Sequence, residues 1–170
     1  GRVDQTAVCF ERRPDLVVPD FRFNEIKAFV AAGLEDFSVS RLKSKMPWGV
    51  PVPGDEDQVM YVWFDALINY ISTLGWPGDE ATFEKYWGII PSPKALQVAG
   101  KDNLRQQSAM WQAMLISANL PSTRQIVIHG FITSRGQKMS KSLGNVIDPY
   151  GIVEEYGVDA LRLFLARHIH

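Results

Sequence analysis

A loop of ten residues, 136–145, gathers the side chains whose presence is hardest to explain by structure alone. Lys138 and Lys141 lie three residues apart, Ser140 and Ser142 flank the second lysine, and glycines lie near both ends. Ammonium groups on a loop with glycine hinges are suited to reach phosphates and to stabilise charge on a departing pyrophosphate. The spacing is not that of a P-loop, and a solvated basic turn is the competing interpretation.

A second group of candidates follows a predicted apolar strand. In the turn Gly100-Lys101-Asp102, the glycine allows a close approach of the backbone, and the Asp102 carboxylate suits the paired hydroxyls of a ribose. Asp102 is equally suited to cap a helix that begins at Asn103 or Leu104. The two roles are compatible, so both are expected.

Three residues at another strand-to-helix junction are candidates for an apolar pocket. Trp63 and Tyr70 supply aromatic walls, and Ala66 supplies a small floor between them. A thioether side chain gains favourable contacts with aromatic rings in such a pocket. Aromatic residues at this spacing are also common in ordinary cores, and spacing by itself favours that simpler interpretation.

The elements that position these candidates alternate between strand and helix. Three apolar runs and two amphipathic runs define them: strands over 59–64, 95–99 and 125–131, and helices over 66–71 and 104–119. The first strand is apolar throughout, which is typical of a strand covered on both faces, and Asp65 is the expected cap of the helix after it. This order predicts the α/β class, with a parallel sheet and flanking helices.

The rest of the chain is predicted from turn residues and local spacing. The expectations are loop and short extended pieces over 1–20, a helix over 23–33, a strand over 36–41, irregular or edge structure over 46–54, and helices beginning at Asp148 and Asp159. Asn24 is the expected cap of the first of these helices. The acidic run 55–57 is expected to be a solvated loop rather than a magnesium site.

Composition narrows the class of protein. The 170 residues carry 46% hydrophobic side chains and a net charge of −1, as in an ordinary globular protein, so any contact with a polyanion must be local. No apolar run is long enough to span a membrane. A single cysteine, Cys9, excludes an internal disulfide and a cysteine-rich zinc site, and it favours a reducing compartment such as the cytoplasm. No metal site is expected within the chain.

The order of several motifs resembles a known family. Lys138-Met139-Ser140-Lys141-Ser142 is identical to the KMSKS signature of class I aminoacyl-tRNA synthetases. Four further segments resemble methionyl-tRNA synthetases, in that family's order: Trp48 to Pro53, Tyr61 to Ala66, Gly100 to Asn103, and His129 to Phe131. The resemblance covers residues 36–168, and it implies a Rossmann-like fold, of which this chain is the second half.

The resemblance also implies roles for individual residues. Lys141 is similar to the signature lysine that contacts the ATP phosphates and stabilises the transition state, and Lys138 is similar to the lysine that assists it. Gly100 and Asp102 resemble the pair that holds the ATP ribose, and the backbone from His129 to Ile132 resembles the adenine-binding strand. A second set is similar to the walls of the methionine pocket: Trp63, Ala66, Tyr70 and, by position, Gln107. ATP with Mg²⁺, methionine and tRNA(Met) are the implied ligands.

Two departures from the family pattern qualify these expectations. Gln106 and Gln107 stand where many members carry Phe-His, and a glutamine can hydrogen bond but cannot become cationic. The ATP-gripping His-x-Gly-His element is also absent, since none of the three histidines forms it. The chain is therefore expected to lack the N-terminal half of its catalytic domain and to be inactive alone. A synthetase of the Leu/Ile/Val type and a non-catalytic nucleotide- or tRNA-binding fragment remain the alternatives.

The resemblance implies a division of the chain into three segments. Residues 1–57 are expected to be part of a connecting region and the lead-in to the second Rossmann half. Residues 58–147 are expected to form that half with its signature loop, and residues 148–170 to begin the helical region that follows.

Overall fold

The computed structural model describes residues 2–168, with the side chains of residues 2–5 and 141 outside the description. The helices are α1 (Arg2–Arg12), α2 (Asp20–Ala31), α3 (Val62–Ser72), α4 (Glu80–Tyr86), α5 (Trp111–Ser117), α6 (Pro149–Tyr156) and α7 (Val158–His168). The strands are β1 (Val17–Val18), β2 (Ser40–Leu42), β3 (Pro51–Val52), β4 (Asp55–Met60), β5 (Gly88–Ile89), β6 (Ser92–Pro93), β7 (Leu96–Gly100), β8 (Gln125–His129), β9 (Thr133–Ser134) and β10 (Gln137–Lys138). A 3₁₀ turn at Lys101–Asn103 and a π-helical turn at Gln106–Met110 precede α5.

The central sheet is parallel and has the strand order β1, β8, β7. The strand β8 lies in the middle, and Ile126 and Ile128 on it are buried. Its register pairs Leu96 with Gln125 at one end and Gly100 with His129 at the other. The carboxyl ends of β7 and β8 therefore meet at one edge, as the predicted α/β class requires.

Two hydrophobic clusters hold this sheet and its helices. The first, the sheet core, joins α1 and α2 to the strands: Phe10, Leu16, Val17, Phe23, Ile26, Val30, Ala99, Leu104, Ala109, Ile126 and Ile128. The second, the aromatic core, joins α3, α4 and α5: Leu67, Ile71, Phe83, Trp87, Trp111 and Leu115. Trp87 also donates its indole N–H to the carbonyl of Pro121, at 2.9 Å, so the aromatic core is tied to the segment that enters β8.

The prediction of a buried parallel strand over 59–64 is wrong. The strand β4 ends at Met60 and pairs antiparallel with β2 and β3 in a separate sheet, and α3 begins at Val62 with Tyr61 as its N-cap. Asp65 lies in the first turn of α3 and does not cap it. A short apolar run has no periodicity that separates a buried strand from a buried helix, and here the chain turns from one to the other within it.

The prediction of loop and short extended pieces over residues 1–20 is also wrong in its first half. Residues 2–12 form α1, which contributes Phe10 to the sheet core and buries Thr6 one turn earlier. Val17 and Val18 form β1, a strand of the parallel sheet. The helix α2 begins at Asp20 after Pro19, so Asn24 does not cap it.

Two further predictions are only partly right. The strand expected over 36–41 is limited to β2 at Ser40–Leu42. The acidic run 55–57, which is exposed as expected, begins the strand β4 rather than lying in a loop.

The other elements follow the predictions more closely. The strands β7 and β8 match the predicted runs within two residues, and β3 is an edge strand in the irregular stretch. The helix α6 begins at Pro149, and the Asp148 carboxylate accepts a hydrogen bond from the backbone N–H of Tyr150 at 3.1 Å. The three-segment division stays a prediction. The strand β1 of the parallel sheet belongs to the first predicted segment, and β4 extends across the predicted boundary after residue 57.

Candidate active site at the carboxyl edge of the parallel sheet

The edge where β7 and β8 end contains a gap that only glycine leaves open. Gly100 pairs in register with His129, so the two residues lie side by side. A Cβ on Gly100 would lie 2.8 Å from Oδ1 of Asp102 and 3.7 Å from Cε1 of His129. The structure therefore brings the turn that carries Gly100 and Asp102 together with His129, which was singled out from a separate part of the sequence.

Asp102 faces the signature loop. Its Oδ2 lies 3.8 Å from Nζ of Lys138, and both side chains are a little over half exposed. An ion pair this exposed contributes at most about 1 kcal/mol, so a ligand can readily displace it. Asp102 was also expected to cap the following helix. Among the described residues it caps none: it lies inside the 3₁₀ turn Lys101–Asn103, whose N-cap is Gly100, and its carboxylate points to Lys138.

Phe131 holds two lysines beside this edge. The ammonium groups of Lys101 and Lys138 lie 4.2 Å and 3.8 Å from the centroid of its ring. Attraction between a cation and an aromatic face keeps such groups in place without neutralising them. Sequence reasoning missed the role of Phe131, and an aromatic residue directly after a strand that ends at the site was the available signal.

His129 and Ile132 lie at the end of β8. The Nδ1 of His129 lies 2.6 Å from the carbonyl oxygen of Gly130. A carbonyl oxygen can only accept, so Nδ1 carries a proton in this contact. Ile132 lies three residues beyond and is 42% exposed, which leaves its side chain open to a ligand.

The signature loop, residues 136–145, begins inside a tight hairpin formed by β9 and β10. Arg135 and Gly136 between these strands have φ angles of 51° and 79°, as a two-residue hairpin turn with a right-handed twist requires. Lys138 ends β10, and a 3₁₀ turn spans Lys141–Leu143. The side chain of Lys141 lies outside the described part of the chain, so its role stays a prediction.

Asn145 fastens the loop to itself. Its Oδ1 accepts a hydrogen bond from the backbone N–H of Ser140 at 2.9 Å, and its Nδ2 donates to the carbonyl of Lys138 at 3.2 Å. The hydroxyls of Ser140 and Ser142 lie 2.7 Å apart and form a further bond. Both serines and Asn145 therefore stabilise the conformation of the loop through hydrogen bonds. Asn145 was not among the residues singled out from the sequence.

The predicted pocket residues lie on one face of α3. Trp63, Ala66 and Tyr70 are each partly buried, and the two aromatic rings pack against the aromatic core, with Tyr70 6.1 Å from Trp111 between ring centroids. Gln107 is 3% exposed and donates from Nε2 to the Tyr70 hydroxyl at 2.9 Å. The structure thus joins Tyr70 to Gln107, although no recorded hydrogen bond or ion pair between described residues joins them to Asp102 or His129.

Gln107 belongs to a buried polar network that sequence reasoning missed. Its other members are Gln97, Gln112 and Thr123, each at most 5% exposed. On β7 the polar Gln97 faces inward while Leu96 and Val98 face outward, the reverse of what side-chain polarity predicts. A lone glutamine inside an apolar strand was the signal that could have revealed it.

Two partly open cavities lie elsewhere. The larger, of about 730 Å³, is lined mainly by the segment between α2 and β2 and by the π-helical turn, and it includes Phe37, Tyr61 and Arg105. The smaller, of about 600 Å³, includes Cys9. Burial raises the pKa of the Cys9 thiol, and this effect outweighs the lowering of the pKa by the positive charges of Arg13 and Arg12. None of the predicted site residues lines either of these two cavities.

Two further properties concern the described residues. Among the side chains that the structure describes, no three of the metal-ligating types His, Cys, Asp and Glu come together to hold a metal ion. None of the helices within residues 2–168 combines the length and the apolar character that a membrane crossing needs.

Comparison with known proteins agrees with this arrangement. A family model described as "tRNA synthetases class I (M)" matches residues 12–170. The mixed α/β fold, with a parallel sheet and flanking helices, is that of part of a class I synthetase domain. The chain belongs to the family of class I tRNA synthetases designated M.

The similar proteins carry consistent names. Methionine–tRNA ligases of Brucella suis and Rickettsia typhi are 47% and 45% identical over 166 residues, which is 98% of this chain and 31% of each of those proteins. The solved structure of Mycobacterium tuberculosis methionyl-tRNA synthetase bound by methionyl-adenylate matches with a TM-score of 0.84 at 42% identity, over 97% of this chain and 31% of that one. Its free form matches with a TM-score of 0.79. The chain thus spans about a third of the length of these relatives.

We expect Asn145→Ala to loosen the signature loop without unfolding the protein. The change removes the acceptor for the Ser140 N–H and the donor to the Lys138 carbonyl. Two lost hydrogen bonds correspond to roughly tenfold faster amide exchange at Ser140. Hydrogen exchange followed by NMR measures this. Asn145→Asp keeps the acceptor and should retain most of the protection; equal exchange in wild type and Asn145→Ala would contradict the role of Asn145.

Proposed function

We propose that this chain is part of a methionine–tRNA ligase, which activates methionine with ATP and passes it to tRNA(Met). The observation that carries the proposal is the register of β7 and β8, which places Gly100, His129 and Asp102 around one gap at the sheet edge. The names of the relatives, and the methionyl-adenylate bound to one of them, support the same function.

The gap at the sheet edge fits the nucleoside of ATP. The Asp102 carboxylate would accept hydrogen bonds from the ribose hydroxyls, in place of its weak ion pair with Lys138. The β8 end from His129 to Ile132 would lie along the adenine. Mg²⁺ would enter with the ATP phosphates, since the described residues offer no cluster of ligands to hold it by themselves.

The chemistry needs no nucleophile from the protein. The carboxylate oxygen of methionine forms a bond to the α-phosphorus, and the bond from that phosphorus to the bridging oxygen breaks, so the electron pair leaves with pyrophosphate. Negative charge grows on the departing group in the transition state. Lys141, assisted by Lys138, would stabilise this charge, and the rest of catalysis would come from holding the reactants in line.

The methionine side chain would lie against Trp63, Ala66 and Tyr70, beside Gln107. Gln97 contacts Gln107 and lies three residues before Gly100 on β7, a separation of about 10 Å along a strand. This distance leaves room for a phosphate and an aminoacyl group between the ribose and the side chain. A single strand would thereby set the spacing between the two halves of the adenylate.

The rest of the active site would come from sequence outside this segment. The strand β7 lies at the edge of the sheet, and its outward side chains Leu96 and Val98 are 58% and 69% exposed. An N-terminal half of the same catalytic domain would supply the histidine element that grips ATP and would cover this apolar surface. The chain alone is then expected to be inactive, and a cytoplasmic location remains part of the proposal.

The direct test is amino-acid-dependent exchange of pyrophosphate into ATP by the full-length protein. We expect exchange with methionine and at least 100-fold less with leucine, isoleucine or valine, because the predicted pocket is built for an unbranched thioether. Preference for one of the branched amino acids would identify a different class I synthetase. Exchange with none of them, together with retained ATP binding, would support a non-catalytic fragment instead.

In the same assay, Lys141→Ala should reduce the rate of methionine activation by about 100-fold or more. A well-placed donor that stabilises transition-state charge contributes on this scale. The loss should appear in kcat with little change in KM for methionine, because the contact is made to the phosphates. Arg135→Ala, in the preceding hairpin turn, is the matched loss of positive charge. A near-normal rate for Lys141→Ala would refute the proposed role of Lys141.

Gly100→Ala should weaken ATP binding while leaving the fold intact. The new Cβ would lie 2.8 Å from Oδ1 of Asp102, an atom at the far end of a side chain that can swing away. We expect the free energy of unfolding to change by less than about 1 kcal/mol and the KM for ATP to rise about tenfold or more. Gly151→Ala, which meets no atom within 4 Å, is the matched control. An unchanged KM for ATP would place the ribose elsewhere.

A further inference from the structure

Four buried polar side chains form a continuous chain of hydrogen bonds behind Tyr70. The members are Thr123, Gln112, Gln97 and Gln107, and the contacts between them are 2.5–3.1 Å long. Gln112 and Thr123 are fully buried, and the two other glutamines nearly so. Because water has little access, each donor in this chain must find its acceptor among the other members.

Two backbone groups, at the end of the network far from Tyr70, determine which side-chain atoms donate and which accept. The N–H of Thr123 donates to Oε1 of Gln112 at 3.1 Å, and Nε2 of Gln112 donates to the carbonyl of Gln107 at 3.1 Å. A backbone N–H can only donate and a backbone carbonyl can only accept, so the Gln112 amide has one possible orientation. Its remaining hydrogen goes to Oγ1 of Thr123 at 2.9 Å.

The same logic passes from Thr123 to the next two glutamines. Oγ1 of Thr123 already accepts from Gln112, so its own hydrogen needs an acceptor, and Oε1 of Gln97, at 2.5 Å, supplies it. The Gln97 amide must then present Nε2 to Gln107, where it donates to Oε1 at 3.0 Å. This leaves Nε2 of Gln107 to donate to the Tyr70 hydroxyl at 2.9 Å.

The chain ends with a hydroxyl of defined polarity. Oη of Tyr70 accepts from Gln107, so its own hydrogen points away from the buried network. Tyr70 is only partly buried, on the face of α3 that carries Trp63 and Ala66. We propose that this relay, from the Thr123 backbone to Gln107, fixes the Tyr70 hydroxyl as a hydrogen-bond donor towards the bound amino-acid side chain. Thr123, Gln112 and Gln97 are then positioning residues for side-chain selection, and they act without touching the substrate.

The relay resists reversal. Turning over either Gln97 or Gln107 alone would bring two N–H groups or two oxygens face to face in a buried site, which leaves both without a partner. Turning over Gln97 and Gln107 together would keep these two amides paired, but it would leave the Thr123 hydroxyl hydrogen without an acceptor in the network. Reversing Gln112 as well would bring its Nε2 against the backbone N–H of Thr123, which is also unfavourable. The fold therefore favours the donor direction at Tyr70, and a solvated tyrosine would lack this preference.

The consequence for selectivity depends on the proposed function. A thioether sulfur is a weak acceptor, whereas the methylene at the same place in norleucine is none, and the two side chains are otherwise alike in shape. A hydroxyl held as a donor favours methionine, and a hydroxyl turned inward does not. One neutral hydrogen bond corresponds to a difference of about threefold to tenfold in kcat/KM.

The variant that reverses the relay is Gln97→Glu in the full-length protein. Once it is ionised, a carboxylate only accepts, so it still receives the Thr123 hydroxyl but forces Gln107 to turn its Nε2 towards residue 97. Because burial raises the pKa of a carboxyl and the neutral acid would donate as the amide does, exchange is measured over a range of pH up to about 9, and the reversal is expected to develop as pH rises. Oε1 of Gln107 then faces Tyr70 and draws the hydroxyl hydrogen inward. We expect the ratio of kcat/KM for methionine over norleucine in pyrophosphate exchange to fall about threefold to tenfold, mainly through KM for methionine.

The control variants distinguish an effect transmitted through the relay from a general loss of activity or stability. In a Tyr70→Phe background, Gln97→Glu should leave the ratio unchanged, because the group on which it acts is gone. Thr123→Val should lower the ratio as Gln97→Glu does, and Thr123→Ser should restore it. Equal losses for both substrates, or the same fall in ratio without the Tyr70 hydroxyl, would overturn the proposal.

A neutron structure of the ligand-free full-length protein tests the relay independently of the substrate. We expect the deuterium on Oη of Tyr70 to point away from Gln107. A deuterium directed at Oε1 of Gln107 would refute the relay even if methionine activation is confirmed. An outward deuterium in a protein that does not activate methionine would refute the proposed function and leave the relay standing.

Discussion

The parallel pairing of β7 with β8 is the interaction on which the other features depend. Five residue pairs, from Leu96 with Gln125 to Gly100 with His129, bring two segments about thirty residues apart in sequence into one sheet. The turn that carries Asp102 leaves the end of β7, and the hairpin that leads to the signature loop leaves the end of β8. A shift of one residue in this register would turn Gln97 outward and separate Gly100 from His129.

The strand β7 contributes to the site through its carboxyl end and through its buried face. Its end, at Gly100, shapes the gap beside Asp102, and its buried face carries Gln97 into the polar network behind Tyr70. A glutamine on the buried face would destabilise an ordinary apolar core, and here each of its amide atoms has a buried partner. The π-helical turn at Gln106–Met110 follows directly and places Gln107 within reach of both Gln97 and Tyr70. Such turns occur frequently at functional sites.

The sequence predicted those helices and strands that are marked by an apolar run or by a capping residue within the element itself. The strands β7 and β8, the glycine-containing turn between β7 and α5, and the start of α6 at Asp148-Pro149 all follow from apolar runs and capping residues. The run 59–64 was misassigned because four to six apolar residues fit a strand or a helix equally well. The helix α1 was missed because its buried face is short and its other residues are mixed in charge.

The candidate site was predictable only in part, for a physical reason. Gly100, Asp102 and His129 carry recognisable chemistry at strand ends, so they could be found before their contacts were known. The network of Gln97, Gln112 and Thr123 depends on hydrogen bonds between residues 11 to 26 positions apart, and Phe131 acts through cations from two other segments. No single stretch of sequence contains such pairings.

The most direct test of the account is a crystal structure of the full-length protein with a stable analogue of methionyl-adenylate. The account predicts that the ribose hydroxyls bind Asp102, that Lys138 moves from its 3.8 Å position beside that carboxylate, and that the methionine side chain contacts Tyr70. An analogue bound away from the β7 and β8 ends, with Asp102 still paired to Lys138, would contradict it.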